Sequence, residues 1–168
     1  MSINGDALTH SPWGHCVHCG NGIGKTQFAM ARQSNVVSFG KSSKSPDDQA
    51  YLTHHARSVR ARFCSNECWE KGMGAVLEAE GLPASIADKR VLAGPIHPCV
   101  KCGTPVNLMK THLAWVRYKY EMRTKGGAEV EHLDWLDVMG VECKPCNLAA
   151  SLREKRHRRR ATRAVSST

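Results

Sequence analysis

The clearest pattern in the chain is an alternation of side-chain types over residues 112–123, HLAWVRYKYEMR. Successive side chains of a β-strand point to opposite faces of the sheet. One face would therefore carry Val116, Tyr118, Tyr120 and Met122, and the other Trp115, Arg117 and Lys119. The following TKGG is a turn signal, and AEVEHL, residues 128–133, has the pattern of a returning strand. The sequence predicts a β-hairpin here.

Two helices are predicted from other stretches. After FCSNEC, the apolar residues Trp69, Met73, Val76 and Leu77 recur at helical spacing, until Gly81 and Pro83 end the run. Residues 143–165, CKPCNLAASLREKRHRRRATRAV, contain no glycine and only one proline, in a position that a first helical turn tolerates. The second helix is strongly basic.

The first half of the chain has weaker signals. NVVSF has the composition of a strand, GKSSKSPDDQ that of a loop, and HHARSVRARFC leads back towards a cysteine pair. Ser85 is placed to cap a short linker helix that Gly94 and Pro95 would end.

Composition indicates that something besides a hydrophobic core stabilises the fold. The 168 residues are 41% hydrophobic, and only ten are Phe, Trp or Tyr. Eight cysteines fall into four close pairs, namely Cys16 and Cys19, Cys64 and Cys68, Cys99 and Cys102, and Cys143 and Cys146. Thiolates in short paired spacings are ligands for tetrahedral zinc. A disulfide framework and a redox Cys-x-x-Cys are the alternatives, but the first belongs mainly to secreted chains and the second needs only one pair.

The cysteine pairs also reveal a repeat. CVHCG at 16–20 matches CVKCG at 99–103 in four of five residues, at an offset of 99 − 16 = 83. The sequence predicts a small, metal-stapled α+β protein with two structural Zn²⁺ ions and two modules in tandem. The predicted segments are an arm (1–9), module 1 (10–81), a linker (82–96), module 2 with the Arg-rich helix (97–163) and a tail (164–168). A knuckle, a β-hairpin and a helix bearing the second ligand pair resemble the treble-clef fingers.

Charge points to a nucleic-acid partner. The net charge is +9, and residues 153–163 hold seven Lys or Arg and one Glu, a local balance of 7 − 1 = +6. Such a cluster attracts phosphate backbones, with a solvated tail as the alternative. The candidate contacts are Arg153, Lys155, Arg156, Arg158, Arg159, Arg160 and Arg163, with Arg117 and Lys119 beside aromatic residues of the hairpin that are expected to be exposed. For the last two, a half-buried strand with a solvated face is the alternative. DNA is favoured over RNA as the partner.

Other classes of function are excluded or disfavoured. GNGIGKT resembles part of a phosphate-binding loop, but Cys19 occupies the position where that motif requires its first glycine. No nucleotide triphosphate is therefore expected as a ligand. The chain has no apolar run of about 18 residues and no signal peptide, which predicts no membrane partner and an intracellular location.

Module 2 also resembles the zinc-bound HNH endonucleases, with EVEHL between CVKC and CKPCN over about residues 97–155. That resemblance implies a ββα unit in which His132 is the general base, while Glu131 and Asn147 bind one Mg²⁺ or Mn²⁺ ion. Glu131 stands where the family has Asp, and the family's middle Asn has no match. The leading hypothesis is therefore a regulatory nucleic-acid-binding protein without catalysis. An HNH-type endonuclease and an adaptor for a protein partner such as the transcription machinery are the alternatives.

Overall fold

The computed structural model describes residues 14–39, 50–88, 95–149 and 152. Its elements in chain order are β1 (Thr26–Phe39), β2 (Ala50–Phe63), α1 (Asn66–Ala79), a 3-10 helix (Ala84–Asp88), β3 (Ile96–Pro98), β4 (Pro105–Asn107), β5 (His112–Lys125) and β6 (Ala128–Glu142). Residues 144–149 are helical. The prediction of a small α+β protein is confirmed.

The two long hairpins form one sheet. The strand order is β2-β1-β5-β6, and all three pairings are antiparallel. β1 and β5 join the hairpins along a register that runs from Thr26 opposite Glu121 to Asn35 opposite His112. The short strands β3 and β4 form a separate two-stranded sheet before β5. The repeated halves of the chain therefore share a continuous sheet in their described parts.

Helix α1 covers one face of this sheet. Ser65 caps the helix by accepting a hydrogen bond from the backbone N–H of Cys68 at 3.2 Å. Trp69, at the start of α1, packs edge-on against Phe28 of β1 and lies 6.0 Å, between ring centroids, from Phe63 of β2. The apolar spacing predicted for this helix thus faces the core, where Trp69, Met73 and Leu77 are buried.

The opposite face carries the predicted tyrosine row. Tyr118 and Tyr120 are stacked, with ring centroids 5.4 Å apart, and both are buried. The guanidinium of Arg57 on β2 lies 4.5 Å from the centroid of the Tyr118 ring, and Arg62 donates to the Tyr120 hydroxyl at 3.3 Å. The predicted assignment of Val116, Tyr118, Tyr120 and Met122 to one face is confirmed, since these four residues pack in the same core cluster.

Two expectations about the second hairpin need correction. The returning strand does not stop after AEVEHL, because β6 continues through residues 134–142 to the last cysteine pair. Trp115 is not an exposed aromatic residue, since it is completely buried and donates through Nε1 to Glu142 at 2.7 Å.

Candidate metal centres

The first knuckle is a tight turn that brings Cys16 and Cys19 together. The N–H of Gly20 donates to the carbonyl of Cys16 at 2.9 Å, and Cys16 donates to Asn21 at 2.8 Å. Gly20 has a φ of +76°, a left-handed conformation that glycine adopts without steric cost. Val17 donates to Arg62 of β2 at 3.0 Å, which holds the knuckle against the end of the hairpin.

The second pair of this site stands where β2 gives way to α1. Cys64 follows the last residue of β2, and Cys68 lies in the first turn of α1. Because Ser65 binds the N–H of Cys68, the helix cap also fixes the position of a candidate metal ligand. The four residues of this site, Cys16, Cys19, Cys64 and Cys68, form site 1.

Site 2 repeats this backbone geometry at Cys99, Cys102, Cys143 and Cys146. Gly103 donates to Cys99 at 2.9 Å with a φ of +75°, and Cys99 donates to Thr104 at 2.8 Å. Val100 donates to Val141 of β6 at 2.9 Å, so this knuckle is also held by the second strand of its hairpin. The two five-residue sequences that repeat in the chain thus form the same backbone hydrogen bonds in both knuckles.

The sulfur positions fit a tetrahedral ion. Within each site the four sulfur atoms all lie within 4.8 Å of one another. The Sγ–Sγ distances are 3.6 Å for Cys19 and Cys64, 3.6 Å for Cys64 and Cys68, and 3.5 Å for Cys102 and Cys143. A Zn–S bond of about 2.3 Å gives a tetrahedron whose sulfur–sulfur edge is about 3.8 Å. None of the eight cysteines forms a disulfide, and these distances far exceed a disulfide bond of about 2.05 Å.

The thiols within each site differ in acidity. Burial raises the pKa of Cys64 to about 12, and contacts with neighbouring thiols add to this effect. Burial also disfavours the Cys16 thiolate, but hydrogen bonds from backbone N–H groups outweigh it and lower the pKa of Cys16 to about 6. In site 2, hydrogen bonds with Thr104 lower the pKa of Cys102 to about 6, while contact with the Cys143 thiol raises the pKa of Cys146 to about 12. A bound cation favours loss of the remaining protons, since zinc binds thiolates.

A buried polar cluster, which no pattern in the sequence predicted, adjoins site 2. Glu142, which precedes Cys143 and is 1% exposed, lies 2.9 Å from the ammonium nitrogen of Lys101 in the knuckle. A guanidinium nitrogen of Arg32 on β1 lies 3.6 Å from Glu142 and donates to Asn147 at 2.9 Å. With Trp115 as a further donor, this carboxylate joins the knuckle, both hairpins and the final helical segment. A buried charge needs such partners. The one sequence signal that could have indicated this cluster was the position of Glu142 directly before Cys143, because a residue next to a buried cysteine is also expected to be buried.

The structure does not bring together the three residues of the HNH resemblance. In the pairing of β6 with β5, Glu131 lies opposite Met122 and His132 opposite Glu121, and Nδ1 of His132 lies 3.7 Å from Asp134. These neighbours in β6 therefore point to opposite faces of the sheet. Asn147 contacts Arg32, which lies beside Glu142. Glu142 is ten residues along β6 from His132, a distance of about 33 Å in an extended strand. Among the described residues, only the two cysteine sites group three or more metal-binding side chains of His, Cys, Asp or Glu.

The predicted nucleic-acid contacts divide into two sets. Arg117 and Lys119 lie in β5 with acidic neighbours on β6, at 3.3 Å to Asp137 and 3.0 Å to Asp134. Residues 153–163, with their seven cations, lie outside the described residues, as do the arm at 1–9 and the tail at 164–168. Lys25 and Thr26 of the loop-like GNGIGKT lead into β1 and not into a helix, as a phosphate-binding loop would require.

Sheet, helix and cysteine sites together define a small α+β protein with two centres that can hold metal, for which zinc is the ion that suits four thiolates. No protein-family model, curated protein or solved structure matches the chain. Within the described residues, no helix has the length and apolar character needed to cross a membrane.

Proposed function

We propose that the chain is a zinc-stabilised nucleic-acid-binding protein made of two treble-clef modules, with a regulatory role and a preference for DNA. Each half has the order knuckle, hairpin and helix, with the second cysteine pair at the helix start. The modules would serve as a rigid base, since zinc binding contributes about 10 kcal/mol or more to the folding of small metal-bound domains.

The observation that carries this proposal is the concentration of charge directly after site 2. Residues 153–163 contribute +6 to a net charge of +9, and they begin seven residues after Cys146. The helical segment at 144–149 starts from this metal centre, so site 2 would anchor the basic segment on the sheet. Clustered Lys and Arg neutralise phosphates and release counterions, which makes affinity depend strongly on salt.

Salt dependence of binding tests the proposal. Fluorescence anisotropy of a labelled duplex, measured over a salt series, should give a log–log slope near −4.5 if about five cations reach phosphates. A chain truncated after Leu152 lacks the segment and should bind weakly with a much flatter slope. Equal affinity and equal slopes for the two proteins would show that the segment is only solvated.

An adaptor that binds a protein partner is the second candidate, and it is favoured by the part of the sheet edge that lies away from the site 2 knuckle, which pairs with β6 only at Val141. β6 is an outer strand, and its exposed residues include Val130, Leu133 and Trp135. Edge strands pair readily with strands of other chains. An adaptor predicts weak binding to nucleic acid by full-length and truncated proteins alike, together with saturable binding of a partner that is lost when Leu133 is replaced by Lys.

A further inference from the structure

A cleft of about 610 Å³ lies beside site 2. One wall is formed by residues 104–107 after the knuckle, and a second by Lys144, Pro145 and Asn147 at the start of the final helical segment. Residues 110–113, leading into β5, line the space between them. Cavities of about 300–1,000 Å³ hold small organic ligands, and a single nucleotide is of this size.

The exposed rim of the cleft is cationic and polar. Lys110 and Lys144 contribute ammonium groups from different segments, and Thr111 adds a hydroxyl group, whereas the Thr104 hydroxyl is hydrogen-bonded to Cys102. Among the described lining residues, Glu142 is the sole carboxylate, and it is buried between Lys101 and Arg32. An anion at the rim would therefore meet two positive charges.

The walls of the cleft combine apolar surface with fixed polar groups. Pro105 and Pro145 are exposed and offer apolar contacts, and the lining also includes the buried Val106. The side chain of Asn107 is held by a hydrogen bond from the N–H of Met109 at 2.9 Å, and that of Asn147 by Arg32. Side-chain amides held in this way can read the edge of a base, as they do in nucleic-acid recognition.

We propose that this cleft binds one unpaired nucleotide of a nucleic-acid strand, with its phosphate between Lys110 and Lys144 and its base against the two prolines and the asparagines. The inference rests on the proposed function and deepens it, because it adds a site for an unstacked nucleotide to binding by the basic segment. Stacking and edge contacts of this kind are how proteins select single-stranded positions.

NMR titration of the intact zinc-loaded protein tests the site. Nucleoside 5′-monophosphates should shift the side-chain amide signals of Asn107 and Asn147 saturably, and inorganic phosphate should do so much more weakly. Replacement of Lys110 or Lys144 by Ala should weaken binding by about tenfold or more, because each removes a charge-assisted contact. Lys125→Ala is the matched control, since it removes an exposed lysine at the far end of β5 and should have little effect.

A second measurement separates this inference from the proposed function. A duplex with one unpaired nucleotide at its end should bind more tightly than its blunt counterpart, and the difference should vanish in Lys110→Ala and Lys144→Ala. Equal affinity for both duplexes, with normal salt dependence, would refute the nucleotide site and leave the proposed function standing. Mononucleotide binding in the cleft without binding of any duplex would support the site and refute the function. Equal shifts with inorganic phosphate, or equal losses in Lys125→Ala, would overturn the proposal.

Discussion

Gly140 of β6 is the position where a single methyl group should disrupt one metal centre selectively. It lies opposite Trp115, against the site 2 knuckle, next to the residue that accepts the N–H of Val100. A Cβ atom at Gly140 would lie 2.2 Å from Cγ1 of Val100. Carbon atoms in contact are about 3.5 Å or more apart, so the added methyl group and Cγ1 of Val100 must move apart by about 1.3 Å.

That displacement is large for a metal site. Ligand distances in working sites vary by only about 0.2 Å, and overpacking of this kind typically costs about 1–3 kcal/mol. Gly140→Ala should therefore weaken metal binding at site 2 by about 5- to 150-fold, at 1.4 kcal/mol for each factor of ten. Site 1 should be unaffected, because its knuckle contacts β2 and α1 instead.

Competition with a chromophoric zinc chelator measures this effect. Gly140→Ala should release one zinc per chain at a chelator concentration at which the wild type releases none. Gly74→Ala is the control, since its Cβ would meet Ala84 at an ordinary 3.6 Å and alanine favours the helix by about 1 kcal/mol. Adding Val100→Ala should restore room and recover binding. Wild-type zinc retention in Gly140→Ala, or a double variant no better than the single one, would show that the contact with Val100 does not control metal binding at site 2.

Three further predictions concern individual side chains. Glu142→Gln should cost about 3–5 kcal/mol in urea unfolding because Lys101 and Arg32 lose the buried carboxylate that lies between them. The exposed Glu129→Gln should change stability by less than about 0.5 kcal/mol, and similar costs for both variants would contradict the buried ion pairs. Burial holds the pKa of His112 below its usual 6.5, so the stability that neutral His112 contributes is complete above that pH and is lost as pH falls. His112→Gln should therefore lose less unfolding free energy in acid than the wild type. Parallel plots of unfolding free energy against pH for the two proteins would argue against this role. The wild type should not cleave plasmid DNA with Mg²⁺ or Mn²⁺, because Glu131, His132 and Asn147 do not lie close together. Robust nicking that disappears in His132→Ala would reverse this conclusion.

Local chemistry was predictable from the sequence. The paired spacings identify the two cysteine sites, because ligands that chelate from one turn must lie two or three residues apart. Period-two alternation located β5 from its first residue and assigned Tyr118 and Tyr120 to one face. Helical spacing located the buried residues of α1. Each of these signals lies within a few residues of what it predicts.

Long-range pairing was not predictable in this way. Nothing in the alternation of β1 or β5 specifies that they are neighbours, since a strand pattern fixes faces and not partners. The burial of Trp115 follows from that pairing and from Glu142, a residue 27 positions away. The length of β6 was underestimated because residues 134–142 mix acidic and apolar side chains, and their ion pairs with Arg117 and Lys119 appear only once β5 is beside them.

Whether two metal centres stabilise this fold is measured directly by the number of zinc ions on the native chain. Native mass spectrometry of protein purified without added metal, combined with thiol alkylation, should show two zinc ions per chain and all eight cysteines protected until a chelator is added. The claim that two metal centres stabilise this fold would be contradicted by fewer than two zinc ions together with freely reactive thiols. Masses that reveal disulfides in the native protein would contradict it as well.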